Sequence, residues 1–399
     1  MSFDVAAVRA EFPALAAGAA HFDGPGGSQT PRVVARAIHD TLVSPIANRG
    51  TVTRAERSAE AIVGGSRAAL ADLLGADPGG IVFGRSMTQL TFDIARTLAD
   101  SWSAGDEVVV SRLDHDANVR PWVIWAEKAG ATVRWIDFDP ESTELTPQHV
   151  ADQLSDRTRL VAVTGASNLI GTRPDLAAIA EQVHGTGALL YVDGVHLAAH
   201  AGIDIAALGV DFFACSPYKF FGPHFGVLAA SPALLETLQP DKLLPSTDAV
   251  PERFELGTLP YELLAGATAV VDFIAGLGGE LAGDRRERIL ASMAAVDEHE
   301  DRLRQRIEAG LAELESVTLH SRARHRTPTL LLTFADRSAG DAYRFLAELD
   351  VNAPAGTFYA YEPARRLGLA DGGLRVGLAP YNDDSDVDRL LDGLAKFVG

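Results

Sequence analysis

The sequence predicts an α/β fold, with a large domain on a mostly parallel sheet followed by a smaller α+β C-terminal domain. Three observations predict it. Short apolar runs alternate with helical patterns through the middle of the chain, as expected of strands joined by covering helices. At 399 residues, 47% hydrophobic and 22% charged, the chain can bury a substantial interior and is too long for one simple core. After about residue 265 the texture changes to long charged helical patterns with fewer strands.

Taken in order, the strand candidates are Gly80–Phe83, Glu107–Ser111, Thr132–Ile136, Arg159–Thr164, Ala188–Val192, Phe212–Ala214 and Val227–Ala230. Between them, Asn118–Ala129, Leu176–His184 and Ile205–Leu208 read as helices. Arg285–Leu314 reads as a long amphipathic helix or a helix pair. Thr329–Thr333, Gly373–Gly377 and a terminal helix around Asp386–Phe397 complete the smaller domain. The expected division is 20–280 for the large domain and 281–399, with 1–19, for the small one. The acidic run Asp383–Asp388 is expected to start a helix, where carboxylates favour the dipole, rather than to bind an ion.

A formal net charge of -19 argues against nucleic acid or an anionic membrane as partner, because the long-range field repels polyanions. One cysteine, Cys215, permits neither an internal disulfide nor a multi-cysteine metal site. No apolar run reaches the roughly 20 residues that span a bilayer, and the start, MSFDVAAVRAEFPAL, lacks a signal-peptide pattern. A soluble cytoplasmic protein is the expectation.

Ligands of parallel α/β folds sit beyond the carboxyl ends of the strands, so the residues after each run carry the functional information. Ser86-Met87-Thr88-Gln89 comes after the first run and precedes a helical pattern from Leu90. Small hydroxylated residues there serve either as a plain helix cap or as a phosphate site, with Met87 and Thr88 at the contact positions. Asp193 ends the run Leu190–Val192, and a buried carboxylate needs a partner: a pyridinium nitrogen, a salt bridge or a metal. His196 and His200 come next at helical spacing and keep a His/Asp metal site in consideration, although His200 can equally face solvent.

Lys219 lies in Ser216-Pro217-Tyr218-Lys219-Phe220-Phe221-Gly222-Pro223 after a buried run. A lysine in apolar surroundings has a depressed pKa, which favours imine formation. Arg375, inside the otherwise apolar Gly373–Leu378, needs a carboxylate. Either an amino-acid substrate or an internal salt bridge would supply one.

Together these residues resemble the class V aminotransferase family of fold-type I pyridoxal 5'-phosphate (PLP) enzymes, and within it the cysteine desulfurase/selenocysteine lyase branch, from about residue 20 to the C-terminus. The resemblance implies a PLP-dependent transferase fold with Lys219 as the Schiff-base lysine, Asp193 as the pyridinium partner and His115, in Leu113-Asp114-His115-Asp116, stacked on the ring. Asn168, in Ser167-Asn168-Leu169-Ile170-Gly171-Thr172, resembles the partner of the phenolic oxygen and a substrate contact. Thr88 and Ser216 match phosphate ligands, and Arg375 matches the arginine that grips the substrate carboxylate. Thr258 resembles a phosphate ligand from a neighbouring subunit, which implies a homodimer. Asp23-Gly24-Pro25-Gly26-Gly27-Ser28 resembles the N-terminal active-site turn.

The departures narrow the reaction. His196 stands where the family usually has a glutamine, and can still donate to the phenolic oxygen. Tyr218 replaces a histidine. In Val351-Asn352-Ala353-Pro354-Ala355-Gly356-Thr357-Phe358-Tyr359, the position nearest the desulfurase nucleophilic cysteine is Tyr359. Cys215, on an expected buried strand, reads as an inert small hydrophobe. The expectation is a PLP enzyme acting on a small amino acid, foremost a β-eliminating C–S lyase, then an aminotransferase, then an epimerase. A non-catalytic scaffold would not need Lys219, Asp193, His115 and Arg375 together. A nucleotide-binding protein is disfavoured, since neither glycine-rich nucleotide motif occurs.

Overall fold

The computed structural model describes residues 3–279 and 281–399; Met1, Ser2 and Glu280, the last being the expected edge of the large domain, lie outside the described residues. The strands are β1 (Ala20–His21), β2 (Ile81–Gly84), β3 (Glu107–Ser111), β4 (Thr132–Ile136), β5 (Thr158–Thr164), β6 (Leu189–Asp193), β7 (Phe212–Cys215), β8 (Gly226–Ala230), β9 (Val317–Leu319), β10 (Thr329–Phe334), β11 (Val351–Asn352), β12 (Ala355–Gly356) and β13 (Gly373–Gly377).

Seven strands form the main sheet in the order β2-β8-β7-β6-β5-β3-β4. Pairing is parallel from β7 through β6, β5 and β3 to β4, and antiparallel wherever β8 takes part. The apolar runs alternate between two cores. Val109, Val161, Val163, Leu190, Val192 and Phe213 face one side of the sheet. Val108, Val110, Leu160, Ala162, Tyr191 and Phe212 face the other. This is the period-2 geometry of strands buried on both faces, each valine, leucine or phenylalanine adding about 1.5–3 kcal/mol when fully buried.

The smaller sheet, β12-β13-β10-β9, is antiparallel throughout. The helix expected over 285–314 is one unbroken helix, Arg285–Ala312, started by a capping box between Asp284 and Glu287. Its first half, through Ile289, Met293 and Val296, packs into the large core. Its second half, through Leu303, Ile307 and Leu311, packs into the small one. Asp383 caps the terminal helix Asp384–Val398 and accepts from the Ser385 and Asp386 amides, so the acidic run is a helix start. No helix among the described residues is long and apolar enough to cross a membrane.

The N-terminal segment ties the two sheets to each other. β1 pairs in parallel with β11, and the Phe22 carbonyl accepts from the Gly377 amide at 2.9 Å. The glycine-rich turn then reaches the lysine loop. Ser28 donates its amide and Oγ to the Tyr218 carbonyl, and its Oγ accepts from the Phe221 amide at 2.7 Å.

Candidate active site

Strands β2, β3, β5, β6 and β7 run in the same direction and end at one edge of the main sheet, and the loops leaving them line a cavity of about 340 Å³. After β2, Ser86 caps a helix that begins at Met87, three residues earlier than expected, because its Oγ accepts from the Gln89 amide at 3.1 Å. Ser86, Met87 and Thr88 face the cavity, where first-turn N–H groups without intrahelical partners favour an anion.

After β3, the buried Asp114 anchors the next loop. It accepts from the Ser111 hydroxyl and from Asn118 Nδ2 at 2.7 Å, and Asn118 in turn accepts from Trp122 Nε1 at 3.0 Å. A 3-10 turn at Asp116–Asn118 delays the next helix to Arg120–Ala129, two residues later than expected. His115 lines the cavity, its Nδ1 accepting from the Ala117 amide at 3.0 Å, which leaves the ring proton on Nε2. Burial, reinforced by the Lys219 charge, pushes His115 down to about 4, so the imidazole is neutral.

After β5, Asn168 donates from Nδ2 to the Phe358 carbonyl at 3.0 Å, while its Oδ1 is buried without a partner. At the end of β6, Asp193 is buried and accepts from the Val195 amide at 2.9 Å. Burial lifts its carboxyl to about 6, although Val195 and the Lys219 charge oppose the shift. A cationic partner would draw it back down towards the usual carboxylate range.

His196 also faces the cavity, with Nε2 2.9 Å from both the Thr327 and Thr329 hydroxyls. His200 does not face solvent. It is buried, its Nδ1 2.8 Å from Glu300 Oε2 on the long helix, and its ring meets His196 edge-on at 4.9 Å. Helical spacing sets the two histidines side by side, but Glu300, on the long helix Arg285–Ala312, holds His200 away from the cavity lining.

After β7, Ser216, Tyr218 and Lys219 line the same space. Tyr218 stacks on His224 with ring centroids 4.6 Å apart. Lys219 Nζ donates to the Pro25 carbonyl at 2.5 Å. Burial, with the charge of Arg375 second, lowers Lys219 to about 7, so much of the amine is uncharged near neutrality.

From the small domain, β13 brings Arg375, which is buried. Among the described residues no carboxylate lies within ion-pair distance of it, so the internal salt bridge weighed as an alternative does not form. Instead Nη1 donates to the Asn168 carbonyl at 3.0 Å, Nε has no partner, and the guanidinium carbon stands 3.6 Å from the centre of the Phe358 ring. Gly26 leaves room for this group, since a Cβ there would lie 3.3 Å from Nη2.

Ten of the sequence-derived residues thus meet: Met87, Thr88, His115, Asn168, Asp193, His196, Ser216, Tyr218, Lys219 and Arg375. Thr258 does not reach the cavity of its own chain and lies exposed. Tyr359 stands at the rim, 77% exposed, and Cys215 is fully buried in β7 with its thiol pushed up by burial. Sequence reasoning named the turn that holds Pro25 and the loop that holds Phe358 without giving either residue a role, and it missed the Thr327/Thr329 pair. Two hydroxyls at the start of the apolar run of β10 were the available signal for the threonine pair.

The family profile described as aminotransferase class-V matches residues 20–390. The chain is 31% identical to an aminotransferase-like protein of Gibberella zeae, over 100% of this chain and 99% of that one. It is 30% identical to a cysteine desulfurase of Dickeya dadantii, over 98% and 96%. Among solved structures it superposes on the cysteine desulfurase CsdA of Escherichia coli with a TM-score of 0.87 and 27% identity, covering 99% and 98% of the two chains.

Proposed function

The chain belongs to the class-V aminotransferase family, whose members use PLP, and from that premise we propose that it is a β-eliminating lyase acting on a small β-substituted amino acid. A sulfur-bearing side chain is the favoured leaving group. The residues of the cavity fit the cofactor. The first turn of the helix from Met87, with Thr88 and Ser216, suits its phosphate, and Asp193, a buried carboxylate short of a cation, suits its ring nitrogen. Neutral His115 suits the ring face, Asn168 and His196 suit the phenolic oxygen, and the Lys219 amine suits the aldehyde carbon. When bound, PLP supplies an electron sink for bond cleavage at the substrate Cα.

The protein's own groups do the rest. Arg375, with a buried Nε free of partners, grips the substrate carboxylate by a charge-assisted fork. The Lys219 amine, held near neutrality by burial, takes the Cα proton. The bond from Cβ to the leaving group then breaks, and the leaving group departs with its electron pair.

The observation that carries this reading is the place of the single thiol. Cys215 is sealed in β7, and Tyr359 stands where the desulfurase resemblance sets the nucleophile, so no side chain of the cavity can take up sulfur. Sulfur eliminated in this cavity would leave as a free group, which supports the lyase reading. The name of the Gibberella relative favours transamination as the second reading. Incubation of the PLP-loaded protein with L-cysteine tests both: elimination, with one water taken up, gives pyruvate, ammonia and sulfide. Alanine with protein-bound persulfide, or pyridoxamine phosphate with a keto acid, would overturn the lyase reading. The same proposal includes a homodimer in which Thr258, exposed in one chain, serves the cavity of the other.

A further inference from the structure

Among the described residues no carboxylate stands at ion-pair distance from Arg375, so other groups must aim its fork. A long side chain with a partnerless Nε would sample several rotamers unless neighbouring groups fix it. Its backbone is fixed by β13, where the Arg375 amide donates to the Pro354 carbonyl at 2.8 Å. The guanidinium itself meets two groups: the Asn168 carbonyl at one end and the Phe358 ring across its plane.

We propose that Phe358 is the positioning residue of the substrate-carboxylate site, its ring aiming Arg375 and its carbonyl holding Asn168. The inference rests on the reading that Arg375 takes the substrate carboxylate. At 3.6 Å from ring centre to guanidinium carbon, the contact is a close face-on stack, the geometry in which the ring quadrupole attracts the cation. The Phe358 carbonyl meanwhile accepts from Asn168 Nδ2 at 3.0 Å, and the Asn168 carbonyl accepts from Arg375 Nη1. The three residues therefore close a loop of contacts, with each one fixing the next.

The backbone supports the assignment. Phe358 and Tyr359 have φ of 54° and 57°, two successive non-glycine residues in the left-handed region. Such strain persists only where surroundings over-determine it, and it concentrates at ligand clamps. Here the surroundings are the Asn168 bond to Phe358 and the Asp116 amide, which donates to the Tyr359 carbonyl at 2.8 Å. Relaxation of Phe358 to negative φ would swing ring and carbonyl together, off Arg375 and off Asn168.

The test is a double-mutant cycle on the PLP-loaded protein, read by stopped flow as the first change of its visible spectrum on mixing with L-cysteine, before product forms, which reports binding rather than turnover. Arg375→Lys is expected to weaken L-cysteine by roughly tenfold or more. Phe358→Leu should also weaken it by roughly tenfold, and Phe358→Tyr, which keeps the ring, should bind as the parent does. On the Arg375→Lys background, Phe358→Leu should add less than about twofold, because both changes remove one interaction. If Phe358→Leu is poorly folded by its melting curve, Phe358→Met replaces it in the same cycle. Parent-like affinity in Phe358→Leu, full additivity with Arg375→Lys, or a Phe358→Tyr no better than Phe358→Leu would overturn the proposal alone. Parent-like affinity in Arg375→Lys, or no spectral response of the parent, would overturn the carboxylate reading and this proposal with it.

Discussion

Gly226 lies flat against Ser86: a Cβ at 226 would stand 2.2 Å from the Ser86 carbonyl carbon and 2.5 Å from the Met87 nitrogen. Because β8 runs against its neighbours, its first residue abuts the turn that starts the helix from Met87. Gly226→Ala should lower stability by about 1–3 kcal/mol through overpacking and should weaken PLP further by displacing the first turn. Spectral titration of the apoprotein with PLP checks this, with inorganic phosphate as a competitor. An unchanged PLP affinity would detach this turn from phosphate binding.

Lys219→Ala should abolish the visible absorbance that PLP acquires on joining a lysine amine. The fold should survive, since the side chain serves the cavity rather than the core. The check is a visible spectrum beside a far-UV spectrum of the variant. A band identical to the parent's would remove Lys219 from the cofactor.

The capture of PLP should depend on pH through Lys219. Its conjugate acid loses its proton at about 7, against about 10.4 for an ordinary lysine, and only the uncharged amine attacks an aldehyde. Capture should therefore be slow below 7, rise as pH passes through 7 and level off above it. Stopped-flow absorbance after mixing apoprotein with PLP gives the profile. A rate still climbing steeply above pH 9 would mean that burial does not depress this lysine.

Cys215→Ala should leave product formation from L-cysteine intact and cost about 1 kcal/mol of stability for the lost apolar contact. Rates beside a melting curve suffice to check it. A spectrally normal variant without turnover would return the thiol to the mechanism.

Much of this molecule was readable in its sequence, and the reason is the buried parallel sheet. Strands such as Glu107–Ser111 and Thr132–Ile136 match their expected bounds because continuous apolar runs have few other places to go. Residues that end those runs, Asp193 and Ser216 among them, were placed by the same logic. Tertiary partners were harder to foresee. His200 finds Glu300, a hundred residues away, and Arg375 finds the ring of Phe358 instead of an acid. Ser86 starts its helix early because one hydroxyl satisfies the Gln89 amide, a local choice that apolar periodicity does not report.

The pairing of β1 with β11 also bears on how the chain assembles. His21 and Asn352 are 331 residues apart, and the same N-terminal segment supplies the Pro25 carbonyl to Lys219 and the Phe22 carbonyl to Gly377. During synthesis, the main sheet can form once Ala230 has emerged, while the first strand waits for a partner made near the end of translation. The strands of the main sheet are thus all complete in sequence before the strand that pairs with the N-terminal segment lying over Lys219 is made. The arginine strand and the terminal helix both lie in the last tenth of the chain, so truncation there would take Arg375 out of the cavity and Tyr381 out of the large core.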